Sequence, residues 1–365
     1  MKILFILPCA WDAHLGQARA SIGLVEALRA RGHQCHSYTI CQSGIRSNRL
    51  TGPLLGLRRF QRKVRDHIRR EAGNYDVIQV EQDLLPYPRT AYGYGGLLVS
   101  KSVGLLHFYE DYERHVERRL REARGDRGSL AGRIVRGMGR MLSRGVRVVD
   151  RGFAVADQIH LNNSDEFAFL KKESRWGSKA VLLVSGLSET ERAALAASHD
   201  LARRLASSTV LFLGQWCYRK GKAELPAIVR RVREKRPDAR FRLLGTGAAS
   251  EEILPQFHGD DRPFIENVPR FERTELPGWL QDIRVALLPT YIEGFPFACL
   301  ELLAAGLPLV SWDVPGVREM LKELPGSPML PPGAVEPTAA AVIDLLEMPP
   351  RQFADLCRQA QTVAR

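Results

Sequence analysis

The sequence lacks any long hydrophobic segment and any closely spaced pair of cysteines. Its N-terminal apolar run covers only Ile3 to Leu7, which is too short for the core of a signal peptide. No other run approaches the roughly 20 apolar residues that a membrane-spanning helix needs. The six cysteines show neither CxxC spacing nor a metal-type arrangement with histidine. We therefore expect a cytoplasmic protein with reduced thiols.

Lysine is also scarce, although the chain is strongly basic. Of the 53 basic residues only 10 are lysine, and the formal net charge is +12. This excess has two interpretations: a compositional preference for arginine, or attraction to an anionic partner such as a membrane surface, an acidic glycan or nucleic acid. No nucleic-acid-binding motif accompanies the charge, so we expect no nucleic-acid partner.

Two segments concentrate the positive charge. Residues 57–70 place Phe60, Val64 and Ile68 on one helical face, and residues 118–147 carry ten arginines. Each segment is either an outer helix that covers a sheet or an interfacial helix on anionic lipid. The sheet-covering interpretation is favoured for residues 57–70. The membrane interpretation is favoured for residues 118–147, where glycines interrupt the helical pattern.

Strand-like apolar runs alternate with helical patterns along the whole chain. The 365 residues, 45% of them hydrophobic, are sufficient for two cores. The alternation predicts an α/β class, with parallel sheets covered by helices on both faces. The polar, alanine-rich residues 185–208 are interpreted as a connection, which gives an N-terminal domain over 1–190 and a C-terminal domain over 191–365.

The strands can be placed from the apolar runs and the glycines that end them. In the first domain we predict strands at residues 3–7, 35–39, 77–80, either 97–100 or 104–107, 158–161 and 180–184. In the second domain we predict strands at residues 209–214, 240–247, 262–268, 284–289 and 307–312.

Residues 291–316 carry the strongest chemical pattern. The loop sequence EGFP at 293–296 follows a predicted strand and leads into a predicted helix at 297–305. Phe297 and Ala298 lie in the first helical turn, where backbone N–H groups lack intrahelical partners and the helix dipole favours an anion. Gly294 has no side chain, so a ligand can approach the backbone. The pattern predicts a phosphate site at this helix start.

Two glutamates eight residues apart frame the same helix start. Glu293 lies in the loop, and Glu301 lies about one turn inside the helix. A nucleotide sugar would use both carboxylates, Glu301 for the ribose diol and Glu293 for the hydroxyls of the sugar. The competing interpretation makes Glu301 a surface ion-pair residue and Glu293 an ordinary loop residue. The surrounding sequence ELLAAGLP favours the ligand-binding interpretation.

This segment resembles the Glu-x7-Glu signature of retaining GT-B glycosyltransferases, above all glycosyltransferase family 4. Other motifs occur in the order of that family. LFLGQWCYRKG at 211–221 resembles its phosphate-binding loop, LLGTG at 243–247 its strand–glycine turn, and ENVPRFERTELPGWL at 266–280 its base-binding loop. The resemblance implies the GT-B fold, in which two Rossmann-like domains face each other across a cleft.

The resemblance also implies roles for individual residues. Its catalytic residues would be Glu293, Lys220 and His107, and Lys220 would offset charge on the leaving diphosphate. Its donor-binding residues would be Glu301, Gly294, Phe295, Phe297, Ala298, Gly16, Gln215, Arg219, Gly245, Asn267 and Val268. The family usually has arginine where this chain has Gln215, and Arg219 is the nearest substitute.

His107 has two interpretations. It lies where the family often places a histidine near the reacting carbon, but some relatives have that histidine four residues earlier, where this chain has Val103. A lone histidine at a strand end is also a common structural residue.

The activity implied is metal-independent transfer of a hexosyl unit, with retention of configuration, from a nucleotide-diphosphate sugar to a glycan, lipid-linked or small-molecule acceptor. The nucleotide sugar is a co-substrate, and no cofactor or metal is implied. The protein would be cytoplasmic, with attachment to the inner face of the membrane through residues 118–147 as an alternative. Two rival functions stay open: a non-catalytic partner that binds sugar nucleotides, and another GT-B enzyme such as a sugar-nucleotide epimerase.

Overall fold

The computed structural model describes residues 1–45, 52–109, 112, 145–172 and 175–364. The chain forms two compact units, Met1–Ser185 and Gly186–Arg365. The expected boundary at residue 190 therefore falls inside the first helix of the second unit, Glu189–Ala197. Residues 185–208, expected to be a connection, contain this helix and a second one, and Leu195 is buried in the core of the second unit.

The described strands of the first unit form one parallel six-stranded sheet in the order β2-β1-β3-β4-β5-β6. They are β1 (Lys2–Leu7), β2 (Gln34–Thr39), β3 (Val77–Glu81), β4 (Leu97–Lys101), β5 (Gln158–Leu161) and β6 (Ala180–Leu182). Helices α1 (Gly16–Ala30), α2 (Gly52–Glu71) and α3 (Ser164–Lys172) alternate with them, and residues 145–155 are also helical. Of the two alternatives for β4, residues 104–107 are wrong, because residues 106–109 are helical.

The second unit repeats this architecture with the strand order β12-β11-β10-β7-β8-β9, again parallel throughout. Its strands are β7 (Thr209–Leu213), β8 (Arg240–Leu244), β9 (Ile265–Val268), β10 (Ile283–Leu288), β11 (Leu309–Trp312) and β12 (Met329–Leu330). Its helices are α4 (Glu189–Ala197), α5 (Leu201–Leu205), α6 (Leu225–Lys235), α7 (Ser250–Ile253), α8 (Leu276–Trp279), α9 (Phe297–Ala304), α10 (Pro315–Leu321), α11 (Val335–Glu347) and α12 (Pro350–Val363).

The continuous apolar strands are explained by helices on both faces of each sheet. Every residue of β7 and of β10 is buried, as expected for central strands of a parallel sheet. In each sheet the strand order reverses direction once, between β1 and β3 in the first unit and between β10 and β7 in the second. Ligands of open α/β sheets bind beyond the carboxyl ends of the strands at such a switch point.

The basic helix α2 covers the first sheet. Phe60, Val64 and Ile68 are fully buried in the core beneath it, so the sheet-covering interpretation of residues 57–70 is confirmed. Of the other basic segment, residues 118–144 lie outside the described residues. Among the helices that the structure describes, none combines the length and the apolar character needed to cross a bilayer.

A polar cluster lies at the carboxyl ends of three neighbouring strands in the first unit, where Glu81 and Lys101 are buried and His160 is half-buried. Glu81 of β3 lies in register with Lys101 of β4, and both are 2% exposed. Lys101 Nζ donates to Ser21 Oγ at 3.3 Å. Burial raises the pKa of Glu81 to about 8 against the attraction of Lys101. On β5, burial and the nearby charge of Lys101 lower the pKa of His160 to about 4.

The lowered pKa of His160 predicts a loss of stability in acid. The unfolded chain binds a proton on this histidine near pH 6.5 and the folded chain only near pH 4, so stability is lost as pH falls through this window. Wild type should therefore lose more unfolding free energy between these two pH values than the variant His160→Gln, measured by denaturant unfolding. The exposed His258 provides the control, since His258→Gln should follow wild type. If the unfolding free energies of wild type and His160→Gln fell by the same amount between these pH values, the prediction would be wrong.

Candidate functional site

The loop after β7 folds back against the end of β10. It passes through Gly214 into a short 3-10 turn at Tyr218–Lys220, and Gly221 follows with φ +74°. A Cβ at Gly221 would lie 2.2 Å from the carbonyl oxygen of Pro289. Only glycine allows both this backbone conformation and this close approach. The turn therefore places the side chains of its last two residues beside the loop that follows β10.

These two side chains are cations that meet the carboxylate of Glu293. Arg219 Nη1 lies 2.7 Å from Glu293 Oε1, and Lys220 Nζ contacts the same oxygen. Thr290 Oγ1 donates to this oxygen at 2.9 Å. The backbone joins the same loops, because Tyr291 N donates to Arg219 O at 2.9 Å. The switch point of the second sheet therefore holds two cations around one carboxylate.

The carboxylate of Glu293 is kept ionised by these neighbours. Its side chain is only 10% exposed, and burial alone would raise its pKa. The positive charges of Lys220 and Arg219, together with hydrogen bonds from Lys220 and Thr290, outweigh burial and lower the pKa of Glu293. A buried carboxylate in this state can accept hydrogen bonds from hydroxyl groups, and the cations around it can attract an anion.

Helix α9 begins at the same place. Pro296 is its N-cap residue and makes no side-chain hydrogen bond to the first turn. The backbone of Phe297 and Ala298 therefore forms the positive end of the helix dipole, which favours an anion. Lys220, Thr290, Pro296 and Ala298 line one small, mostly apolar cavity of about 10 Å³, which shows that the lysine lies beside the helix start. The structure thus brings Lys220 and Glu293 together with the start of α9, as expected. In the loop before the helix, the ring of Phe295 packs edge-on against that of Phe297, with 5.8 Å between the ring centroids.

Glu301 lies further along α9 and is paired with an arginine that sequence reasoning missed. Its side chain is 6% exposed and contacts Arg273 Nη2. Arg273 begins a 3-10 turn after β9, 28 residues before Glu301. Local pattern gives no signal for a pair at such a separation. Glu301 therefore does form an ion pair, as the competing interpretation expects, but its carboxylate is buried and not on a surface helix.

The predicted base-binding residues Asn267 and Val268 form hydrogen bonds with the glycine turn that follows β8. Gly245, with φ +76°, donates its N–H to Val268 O at 2.8 Å. Asn267 Oδ1 accepts from Thr246 Oγ1 at 2.8 Å, and Trp216 N donates to Thr246 O at 2.9 Å. These contacts hold the ends of β7, β8 and β9 together. A direct contact of Asn267 or Val268 with a base remains a prediction.

Gln215 and Arg219, the two residues considered for the role of the family's arginine, have different environments in the loop after β7. Gln215 is exposed directly after Gly214, whereas Arg219 is directed to Glu293 and also donates to Ile292 O at 3.2 Å. Arg219 therefore contributes a second positive charge beside Glu293, and its replacement of the missing arginine in phosphate binding remains a prediction.

The two candidates of the first unit have different settings. Gly16 is exposed at the start of α1, with open space around its Cβ position. His107 lies on a helical turn, not at a strand end, and its Nε2 is 3.1 Å from Asp150 Oδ1. Its ring stacks on Phe153 at 6.2 Å. His107 thus has a structural environment of its own, and its catalytic role remains a prediction.

Gly316 holds the Glu293 loop from the opposite side. Its N–H donates to Glu293 O at 3.1 Å, and a Cβ there would lie 2.5 Å from Gly294 O. Gly316→Ala should displace this loop and lower the free energy of unfolding by about 1–3 kcal/mol, as overpacking does. Denaturant unfolding measures the change. In the control Gly278→Ala the added methyl group meets open space, so its free energy of unfolding should stay near that of wild type. Equal effects of the two substitutions would show that Gly316 does not hold the Glu293 loop.

Comparison with known proteins agrees with this geometry. Residues 207–348 match the family model of the glycosyl transferases group 1. The chain is 28% identical over 150 residues to a glycogen synthase of Mycobacterium tuberculosis, covering 40% of this chain and 36% of that protein. It is 29% identical over 127 residues to one component of the human phosphatidylinositol N-acetylglucosaminyltransferase, covering 34% and 26%. The chain thus spans about a third of the length of the curated relatives that it matches.

Solved structures match over nearly the whole chain. WaaG, a glycosyltransferase involved in lipopolysaccharide biosynthesis, superposes with a TM-score of 0.69 at 14% identity, covering 99% of this chain and 95% of its own. The Anabaena protein HepE in complex with UDP gives 0.67 at 14% identity, covering 100% and 94%. Likeness at this identity shows the fold, and the expected α/β class is confirmed. The chain has the GT-B fold, and its residues 207–348 match the group 1 glycosyltransferase family model.

Proposed function

We propose that the protein is a retaining, metal-independent glycosyltransferase that uses a nucleotide-diphosphate sugar as donor. The observation that carries the proposal is the meeting of Lys220, Arg219 and Glu293 with the start of α9 at the switch point of the second sheet. A diphosphate has the charge that the two cations and the helix dipole attract. The group 1 domain over residues 207–348 agrees with this assignment.

The reaction breaks the bond between the anomeric carbon and an oxygen of the β-phosphate. Negative charge then develops on the departing diphosphate, and Lys220, Arg219 and the N-terminus of α9 would stabilise it. The acceptor hydroxyl would bond to the same face of the anomeric carbon, and its proton would pass to the departing β-phosphate. Glu293 would orient the sugar by accepting hydrogen bonds from its hydroxyls. Because these residues supply the positive charge, no metal ion is included.

The donor is proposed to carry a hexose. HepE was solved with UDP and with UDP-glucose, so a uridine nucleotide is the first to test. Two named relatives point to a lipid-linked acceptor, a component of a phosphatidylinositol N-acetylglucosaminyltransferase and a protein of lipopolysaccharide biosynthesis. A cytoplasmic protein held at an anionic membrane surface by the arginines of residues 118–147 agrees with such an acceptor. Soluble glycans and small molecules are the alternatives.

A non-catalytic partner protein that binds nucleotide sugars is the second candidate. Gln215 favours it, because the loop lacks the arginine that the resembled family places there. Binding of a nucleotide sugar without turnover, across a panel of donors and acceptors, would support this alternative.

Lys220 is the first residue to test. Lys220→Ala should lower donor turnover by about 10²–10³, as removal of a single charge-stabilising donor does in other enzymes. Release of nucleoside diphosphate from a panel of UDP-, ADP- and GDP-sugars measures it. The matched control is Lys222→Ala, since Lys222 lies over the ring of Tyr218 at 4.5 Å. Turnover like that of wild type in Lys220→Ala at saturating donor would contradict the proposed role.

The two glutamates should separate nucleotide binding from sugar transfer. Glu301→Gln should weaken binding of free nucleoside diphosphate by about tenfold, the effect of losing a hydrogen bond to a charged group. Glu293→Gln should leave that affinity equal or higher, because Lys220 and Arg219 lose their carboxylate partner, and should lower turnover. Calorimetric titration with UDP and a turnover assay give the two quantities. Equal loss of nucleotide affinity in both variants would show that the roles are not divided.

A further inference from the structure

Arg273 occupies a position that the loop after β9 builds with several contacts. Glu272 and Glu275 form a capping box around it, in which Glu272 N donates to Glu275 Oε2 at 2.9 Å. Helix α8 continues from the same turn. Phe271, two residues before Arg273, packs on the Gly245 turn, where a Cβ would lie 3.1 Å from its ring. The backbone at Arg273 is therefore fixed between the glycine turn of β8 and α8.

The side chain of Arg273 reaches a carboxylate that is almost fully buried. It is 26% exposed, whereas Glu301 is 6% exposed. A buried carboxylate that loses its counter-charge takes up a proton or turns away, because an unpaired buried charge is costly. Two further cations, Arg219 and Lys220, contact Glu293 instead. Arg273 is thus a cation that the structure places directly on Glu301.

Resting on the proposed function, we infer that Arg273 is a positioning residue, which holds the carboxylate of Glu301 in the orientation that binds the ribose hydroxyls of the nucleotide. Glu301 can contact Arg273 and the ribose at the same time. A carboxylate has about four lone-pair sites, and the guanidinium contact on Oε1 uses only part of them. A guanidinium also fixes the plane of its carboxylate better than an ammonium group does. Arg273 therefore contributes to recognition of the ribose without touching the reacting atoms.

The inference predicts a specific loss of ribose recognition. The probes are UDP and 2′,3′-dideoxy-UDP, with the corresponding ADP and GDP pairs alongside, titrated into the full chain. Wild type should prefer the ribose form by about tenfold or more, the effect of hydrogen bonds to a charged acceptor. Arg273→Met should reduce this preference to within about threefold and Arg273→Lys should restore part of it, because an ammonium group keeps the charge but lacks the planar fork.

Two further variants separate positioning from general loss of structure. Arg270→Met removes an exposed arginine of the same loop and should keep the wild-type preference. In a Glu301→Gln background, Arg273→Met should cause no further change in the preference, because both substitutions act through one carboxylate. Thermal unfolding of each variant shows whether it is folded, and if Arg273→Met is not, the comparison of Arg273→Lys with wild type decides.

Three results would overturn the inference. If Arg273→Met weakens both nucleotides equally and keeps the preference for the ribose form, Arg273 is only a structural residue. If it binds UDP more tightly, Arg273 competes with the ribose for Glu301. If wild type binds none of the nucleoside diphosphates, the proposed function fails and this inference fails with it, a result distinct from the first two.

Discussion

The contact of Glu293 with Lys220 and Arg219 joins the loops after β7 and β10. These strands are neighbours in the sheet although β8 and β9 lie between them in sequence. Their carboxyl ends meet where the strand order reverses, which is where α/β sheets bind ligands. The ion pairs therefore place a lysine, an arginine and a carboxylate at the start of α9. Under the proposed function, the contacts to the diphosphate and to the sugar depend on this junction.

The junction is held by close backbone approach as well as by charge. Gly221 lies against Pro289, and Gly316 lies against Gly294, each at a distance that excludes a Cβ. The loop of Glu293 is thus fixed between the turn after β7 and the start of α10. Groups fixed in this way need little reorganisation when charge develops on a ligand, which is the condition for effective electrostatic stabilisation.

The parts of this structure that follow from local pattern were predictable from sequence, and long-range pairs were not. Fully buried strands such as β7 and β10 are visible as continuous apolar runs, and the loop and helix around Glu293 follow from residues that are adjacent in the chain. Arg273 could not be found, because its partner is 28 residues away. The helix Glu189–Ala197 did leave a signal, the capping box from Ser188 to Glu191, which the polar composition of the segment obscured. His107 is a case that local pattern does not decide: its motif resembles a catalytic position, the half-buried ring contacts Asp150 and Phe153, and its catalytic role remains a prediction.

The charged contacts around α9 form two separate groups, and under the proposed function this separation has a consequence for the donor. Glu293, in the loop before the helix, contacts Lys220 and Arg219, and Glu301 within the helix contacts Arg273. Under the proposed function, an arriving diphosphate would compete for the first two cations, and Glu293 would exchange cation contacts for hydroxyl groups of the sugar. Arg273 is on a different loop, so its contact with Glu301 would not take part in this exchange. The reacting end of the donor would then rearrange its charges while the nucleotide end stays bound.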